Sequence, residues 1–153
     1  MILQERIERY LFEANRHISH IESAKEELNV PVINYDDLSK LEKFALNTLI
    51  FRFSKLQDLI GTKLFRYYLD YSGLYANDMG FFDLLKEIEK EGIVDIDTWQ
   101  QLRELRNDIA HEYPHEMAEM LEKINLLIEK SEDLIVILRT IEAKYHETKR
   151  QRD

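Results

Sequence analysis

The chain has 153 residues, 44 % of them hydrophobic and 33 % charged, with no cysteine and a formal net charge of −9. That length and balance suit one domain with a real core and exclude a disordered chain; without cysteine there is no disulfide, thiolate metal site or thiol nucleophile. The acidic balance counts against a generic nucleic-acid coat, since counterion release needs clustered Lys and Arg, but it leaves room for a local basic site.

With 4 Gly and 2 Pro, few turns interrupt long runs of Glu, Lys, Leu and Ile, and long elements of that composition are helices. The opening "MILQERIERYLFEANRH" is broken by charges every few positions, so it is neither a signal peptide nor a membrane span, and a cytoplasmic protein is expected. The first helix runs from about Leu3 to Leu28, with Ile7, Leu11, Ala14, Ile18 and Ile21 at three- and four-residue steps. Glu13, His17 and His20 share one of its faces. Exposed Glu and His meet this way by chance, so no metal or cofactor is assigned.

"NVPVINYDD" (Asn29 to Asp37) is the first break, with a cap at Asp36 or Asp37. The second helix, about Leu38 to Tyr71, is the longest and ends in "YSGLYANDMG". A short third, "FFDLLKEIEKEG", stops at Gly92. Asp97 caps the fourth, "TWQQLRELRNDIAHE". Pro114 disfavours helix at Tyr113 and opens the fifth, which runs to about Lys144 and leaves a charged tail frayed from about His146. No repeat and no long linker divides the chain. The expected fold is all-α, one domain over 1–153, an up-and-down bundle of about five helices.

On the second helix Leu49, Phe53, Leu56, Ile60, Leu64 and Tyr67 form the ordinary core face. Phe51 and Phe65 lie nearly opposite, with Asp58 between them at heptad spacing. Aromatics on two faces mean packing on two sides, as the central helix of the bundle or as part of a dimer interface. Arg52, Lys55, Lys63 and Arg66 make a third stripe, either a solvated face with snorkelling stems or a strip that tracks phosphates.

The fourth helix has an apolar face of Trp99, Leu102, Leu105 and Ile109. Arg106 projects at its edge, where a charge must be paired or placed at a contact surface. Asn107 and His111 stand one turn apart on a neighbouring face. Arg106 and His111 are separated by about 140° and ~7.5 Å of rise. His111 sits in the last turn, where the helix dipole favours imidazolium. An arginine that holds phosphate beside a histidine that moves protons suits RNA cleavage, because RNA supplies its own 2′-OH nucleophile and no metal is required. A twofold dimer would provide both an acid and a base from two copies of one histidine. The structural alternative pairs Arg106 with a buried carboxylate such as Asp58 and makes His111 a helix C-cap.

"RNDIAHEYP" resembles the signature of HEPN domains: an arginine, an adjacent polar residue, and a histidine four to six residues on. Arg106, Asn107 and His111 match it with four intervening residues, and Tyr113 extends it to the R-x4-H-x-Y of HepT-type toxins and nucleotidyltransferase-associated HEPN proteins. The resemblance covers most of the chain in architecture and implies a homodimer joined through the motif helices. It implies a metal-independent endoribonuclease leaving a cyclic phosphate, with Arg106 and His111 catalytic and Asn107 orienting or binding phosphate. It also implies a cognate nucleotidyltransferase antitoxin that adenylylates Tyr113. Arg52 and Lys55 are the further candidates for RNA phosphates. The alternative is a HEPN subunit that partners a nucleotidyltransferase without cutting anything.

Overall fold

The computed structural model describes residues 2–112 and 118–152, which are mostly helical with no strand among them. The helices are α1 (Ile2–Glu26), α2 (Lys40–Leu59), α3 (Phe65–Tyr71), α4 (Phe81–Lys90), α5 (Ile96–Glu112) and α6 (Leu121–Arg152). A π-turn at Ile60–Leu64 joins α2 to α3 without a break, so the described residues form five rods.

Side-chain partners set their directions. Along α1 and α6, Lys25 meets Glu132 at 2.9 Å, Asn15 meets Glu142 at 2.7 Å and Glu8 meets Lys149 at 2.8 Å. One number falls as the other rises, so the two helices are antiparallel. The same holds for α2 and α5, where Asp58 meets Arg106 and Gly61 lies under Trp99, and for α1 against α2–α3, where His17 meets Arg52 and Tyr10 stacks on Tyr67. The result is the expected all-α bundle, with one core cluster fed by every helix, from Ile7 and Ile18 through Phe53 and Leu64 to Trp99 and Ile141.

The π-turn changes which residues face that core. Its i→i+5 bonding admits one residue more than an α-turn, which rotates everything after it by about 100°. The apolar face expected to continue from Leu64 to Tyr67 therefore continues through Phe65 and Tyr68, which are buried, while Tyr67 is only partly so. Phe65, placed opposite the core by a straight-helix reading, packs edge-on against Trp99 with ring centres 4.8 Å apart. Phe51, before the turn, stays exposed. Gly61 inside the turn makes the close approach possible: a Cβ there would stand 2.9 Å from Trp99 Cζ2.

Three boundaries differ from expectation. The cap of α2 is Ser39, which forms a reciprocal capping box with Glu42; Asp36 and Asp37 belong to a short 3-10 turn capped by Asn34. The cap of α5 is Asp95 rather than Asp97. Its carboxylate accepts from the Thr98 N–H at 2.7 Å, and hydrogen bonding from the Thr98 side chain together with that N–H holds its pKa below the usual range. Finally, α6 does not fray at His146 but continues to Arg152. Tyr145 is buried against Tyr71, Lys149 pairs with Glu8, and Arg152 donates to the Tyr71 carbonyl and lies 4.2 Å over its ring. Charged residues at that end snorkel along neighbours that a one-helix reading does not see.

Candidate functional site

Arg106 leaves the inner edge of α5 and reaches α2. Its Nη2 donates to Asp58 Oδ2 at 2.9 Å and its Nη1 to Asn107 Oδ1 at 3.3 Å. Its Nε is buried with no hydrogen-bond partner among the described residues. The pairing with Asp58 is the one the structural alternative named, with a correction: Asp58 is not buried, its side chain being 51 % exposed against 29 % for Arg106. An exposed ion pair of this kind stabilises a fold by at most about 1 kcal/mol. A guanidinium held this loosely can exchange one anion for another. The buried Gln57 amide faces the α5 backbone; turned so that its nitrogen meets Leu102 O at 3.3 Å and its oxygen the Arg103 N–H at 3.0 Å, it satisfies both of its ends.

The pair closes one end of a cleft of about 750 Å³ lined by His20 of α1, Thr48, Phe51, Arg52 and Lys55 of α2, and Ala110 of α5. Asn107, Ala110 and His111 are exposed on the outward side of the last turns of α5. The fold thus brings Arg106, Arg52 and Lys55 to one cleft, with Asn107 beside Arg106 and His111 next to its Ala110 wall. Tyr113, like Pro114 and His115, lies outside the described residues.

The basic stripe of the second helix divides. Arg66 is no candidate for phosphate, because its Nη1 donates to the carbonyls of Ala76 at 2.8 Å and Met79 at 3.0 Å and ties down the loop after α3. Lys55 and Lys63 are exposed. Arg52 is half-buried, and its Nη1 lies 3.1 Å from His17 Nδ1. A guanidinium only donates, so this ring nitrogen accepts, and the imidazole is neutral with its proton on Nε2. Glu13 Oε1 stands 3.8 Å from that Nε2. Burial, together with the adjacent Arg52 charge, pushes the His17 pKa below the ordinary histidine value.

His17 does stand beside Glu13 on α1, but its hydrogen-bond partner comes from α2, and the described residues contain no group of three such side chains that could hold a metal. The better signal lay in its spacing. Positions 14, 17, 18 and 21 are all buried on α1, and a histidine on a core stripe needs a polar partner from another helix.

Comparison of the chain with protein-family models, with curated proteins and with solved structures returned no match. No helix among the described residues is long and apolar enough to cross a membrane.

Proposed function

We propose that this chain is a metal-independent endoribonuclease of the HEPN type, the toxin of a pair whose antitoxin is a nucleotidyltransferase, acting in the cytoplasm as a homodimer. The observation that carries the reading is the position of Arg106. It stands at an open cleft with Arg52 and Lys55, its one ion pair among the described residues made to a half-exposed carboxylate and its other hydrogen bond to the Asn107 amide, while Asn107 and His111 are exposed on the same helix. A phosphodiester entering the cleft replaces Asp58 as the anion on Arg106. Arg106 then stabilises the negative charge that builds on the non-bridging phosphoryl oxygens.

The chemistry needs two proton transfers. The 2′-oxygen attacks the adjacent phosphorus, giving up its proton to one His111; the P–O5′ bond breaks and a second His111, from the twofold mate, protonates the leaving oxygen. The products are a 2′,3′-cyclic phosphate and a 5′-hydroxyl, with no atom required beyond the RNA and the protein. Tyr113 is the proposed adenylylation site, where an added nucleotide would place a new negative charge beside the motif and repel the substrate.

A second reading has one observation in its favour. With Arg106 already paired to Asp58 and a chain charge of −9, the same surface also suits a subunit that binds a nucleotidyltransferase and cuts nothing. Purified protein incubated with RNA in EDTA separates the two. We expect cleavage by wild type, cyclic-phosphate ends, and loss of at least about 100-fold in rate in His111→Ala, the scale of a missing general acid–base group. Intact RNA after incubation with dimeric, unmodified wild type would instead favour the binding subunit.

A further inference from the structure

Phe51 is a large aromatic side chain left 53 % exposed in the middle of α2. It stands between two depressions. One is the cleft that holds Arg106; the other, of about 550 Å³, opens toward Tyr10, Thr62 and Lys63, and both share Phe51, Arg52, Lys55 and Asp58 as a common wall. The guanidinium carbon of Arg52 and the ammonium of Lys55 lie 5.6 and 5.5 Å from the centre of the Phe51 ring. Arg52 is anchored from below by His17, so its charge is held at the ring rather than swinging in solvent.

We propose that Phe51, Arg52 and Lys55 form a subsite for one unpaired nucleotide of a single-stranded RNA, the base stacked on the Phe51 ring and its phosphates on the two flanking cations. The inference rests on the ribonuclease reading for the identity of the strand and extends it by naming what the substrate must be. An aromatic ring next to clustered cations is the arrangement that holds single strands: every base offers a π-face, and the backbone carries a charge at each step. The strand would run from Arg106 across Phe51 toward Lys63. A base inside a duplex cannot reach the ring. Asp58 and Glu13, the acidic members of the two depressions, oppose the phosphates and keep the affinity moderate, so the aromatic contact matters more here than in a basic protein.

The test is binding of fluorescein-labelled oligouridine about 12 nucleotides long, and of an RNA duplex of the same length, to the full chain carrying His111→Ala so that nothing is cut. We expect the single strand to be preferred. Phe51→Ala should weaken it roughly 5- to 100-fold, Phe51→Trp should preserve it, and Lys55→Gln should lower the slope of log affinity against log salt by about 0.7. Phe51 is outside the core, so the Ala variant should keep the melting temperature of the parent. Equal binding of single strand and duplex, no binding of either, or an unchanged affinity in Phe51→Ala overturns the subsite. So does a Phe51→Ala protein that dissociates into monomers, because the ring would then be an interface residue. Cleavage by wild type with no role for Phe51 removes the subsite and leaves the nuclease standing. Phe51-dependent binding without any cleavage does the reverse.

Discussion

His17 and Arg52 illustrate how a single part-buried hydrogen bond makes stability depend on pH. Burial and the neighbouring guanidinium hold the His17 pKa below its ordinary value, while Glu13 of the same helix opposes them and His20 and Lys55 add to them. Unfolded, the imidazole titrates near about 6.5. Below that pH the unfolded chain binds a proton that the folded chain refuses, so unfolding gains free energy from acid. The stability tied to His17 is therefore complete above the unfolded value and is lost as pH falls from there toward the folded value. Melting temperatures at about pH 7.5 and about pH 5.5 should fall further for wild type than for His17→Gln, whose amide oxygen still accepts from Arg52 but does not titrate. Equal falls in the two proteins would show that His17 is not the titrating group. At the same scale Arg106 was readable as a charge that needed a partner, because its angle on α5 is countable, whereas Asp58 was only one example of a carboxylate that could serve, the two lying 48 positions apart on different helices. The bond from Arg52 to His17 joins α1 to α2 across 35 positions, and no periodicity within either helix encodes it.

Among the elements, the π-turn and its glycine are the ones with a clear mechanical role. In an ordinary helix Gly→Ala gains up to about 1 kcal/mol from backbone entropy. At Gly61 the added methyl meets the Trp99 ring at 2.9 Å, so the ring, which is buried and packed edge-on against Phe65, must shift to admit it. Overpacking of that kind costs about 1–3 kcal/mol, so Gly61→Ala should be net destabilising in a thermal or urea melt. Adding Trp99→Phe should recover part of the loss by shortening the ring; the exchange sacrifices no hydrogen bond among the described residues, since Trp99 Nε1 has none. A Gly61→Ala protein as stable as wild type would mean that α5 can lift off α2, and with it Arg106. Helix number and order were legible from composition and spacing. The extra residue of the π-turn was not, because "IGTKLF" has the same apolar content whether its bonds skip four residues or five.

The whole bundle is closed by α6, whose last turns bind both α1 and α3. Tyr145 is fully buried, with its hydroxyl donating to Glu8 at 2.5 Å and its ring 5.0 Å from Tyr71. Ending the chain after Lys144 removes this side chain along with the Lys149 and Arg152 contacts. Loss of a large buried aromatic costs about 3–5 kcal/mol, which for a protein of this size lowers the melting temperature by about 10 °C. Ending it after Thr148 keeps Tyr145 and should lower it far less; equal losses would place the stabilisation in the charged turns instead. The all-helical class, the apolar faces of α1 and α5 and the placing of Arg106, Asn107 and His111 together on one helix followed from the sequence alone. Those are consequences of local periodicity and of side-chain chemistry within one helix. The depth of His17, the loop-binding role of Arg66, the turn of Phe65 into the core, the extension of α6 and the gathering of Arg52 and Lys55 with Arg106 were decided only by tertiary structure. Each depends on which helix lies opposite, and antiparallel packing brings together residues far apart in the chain whose meeting no single helix can specify.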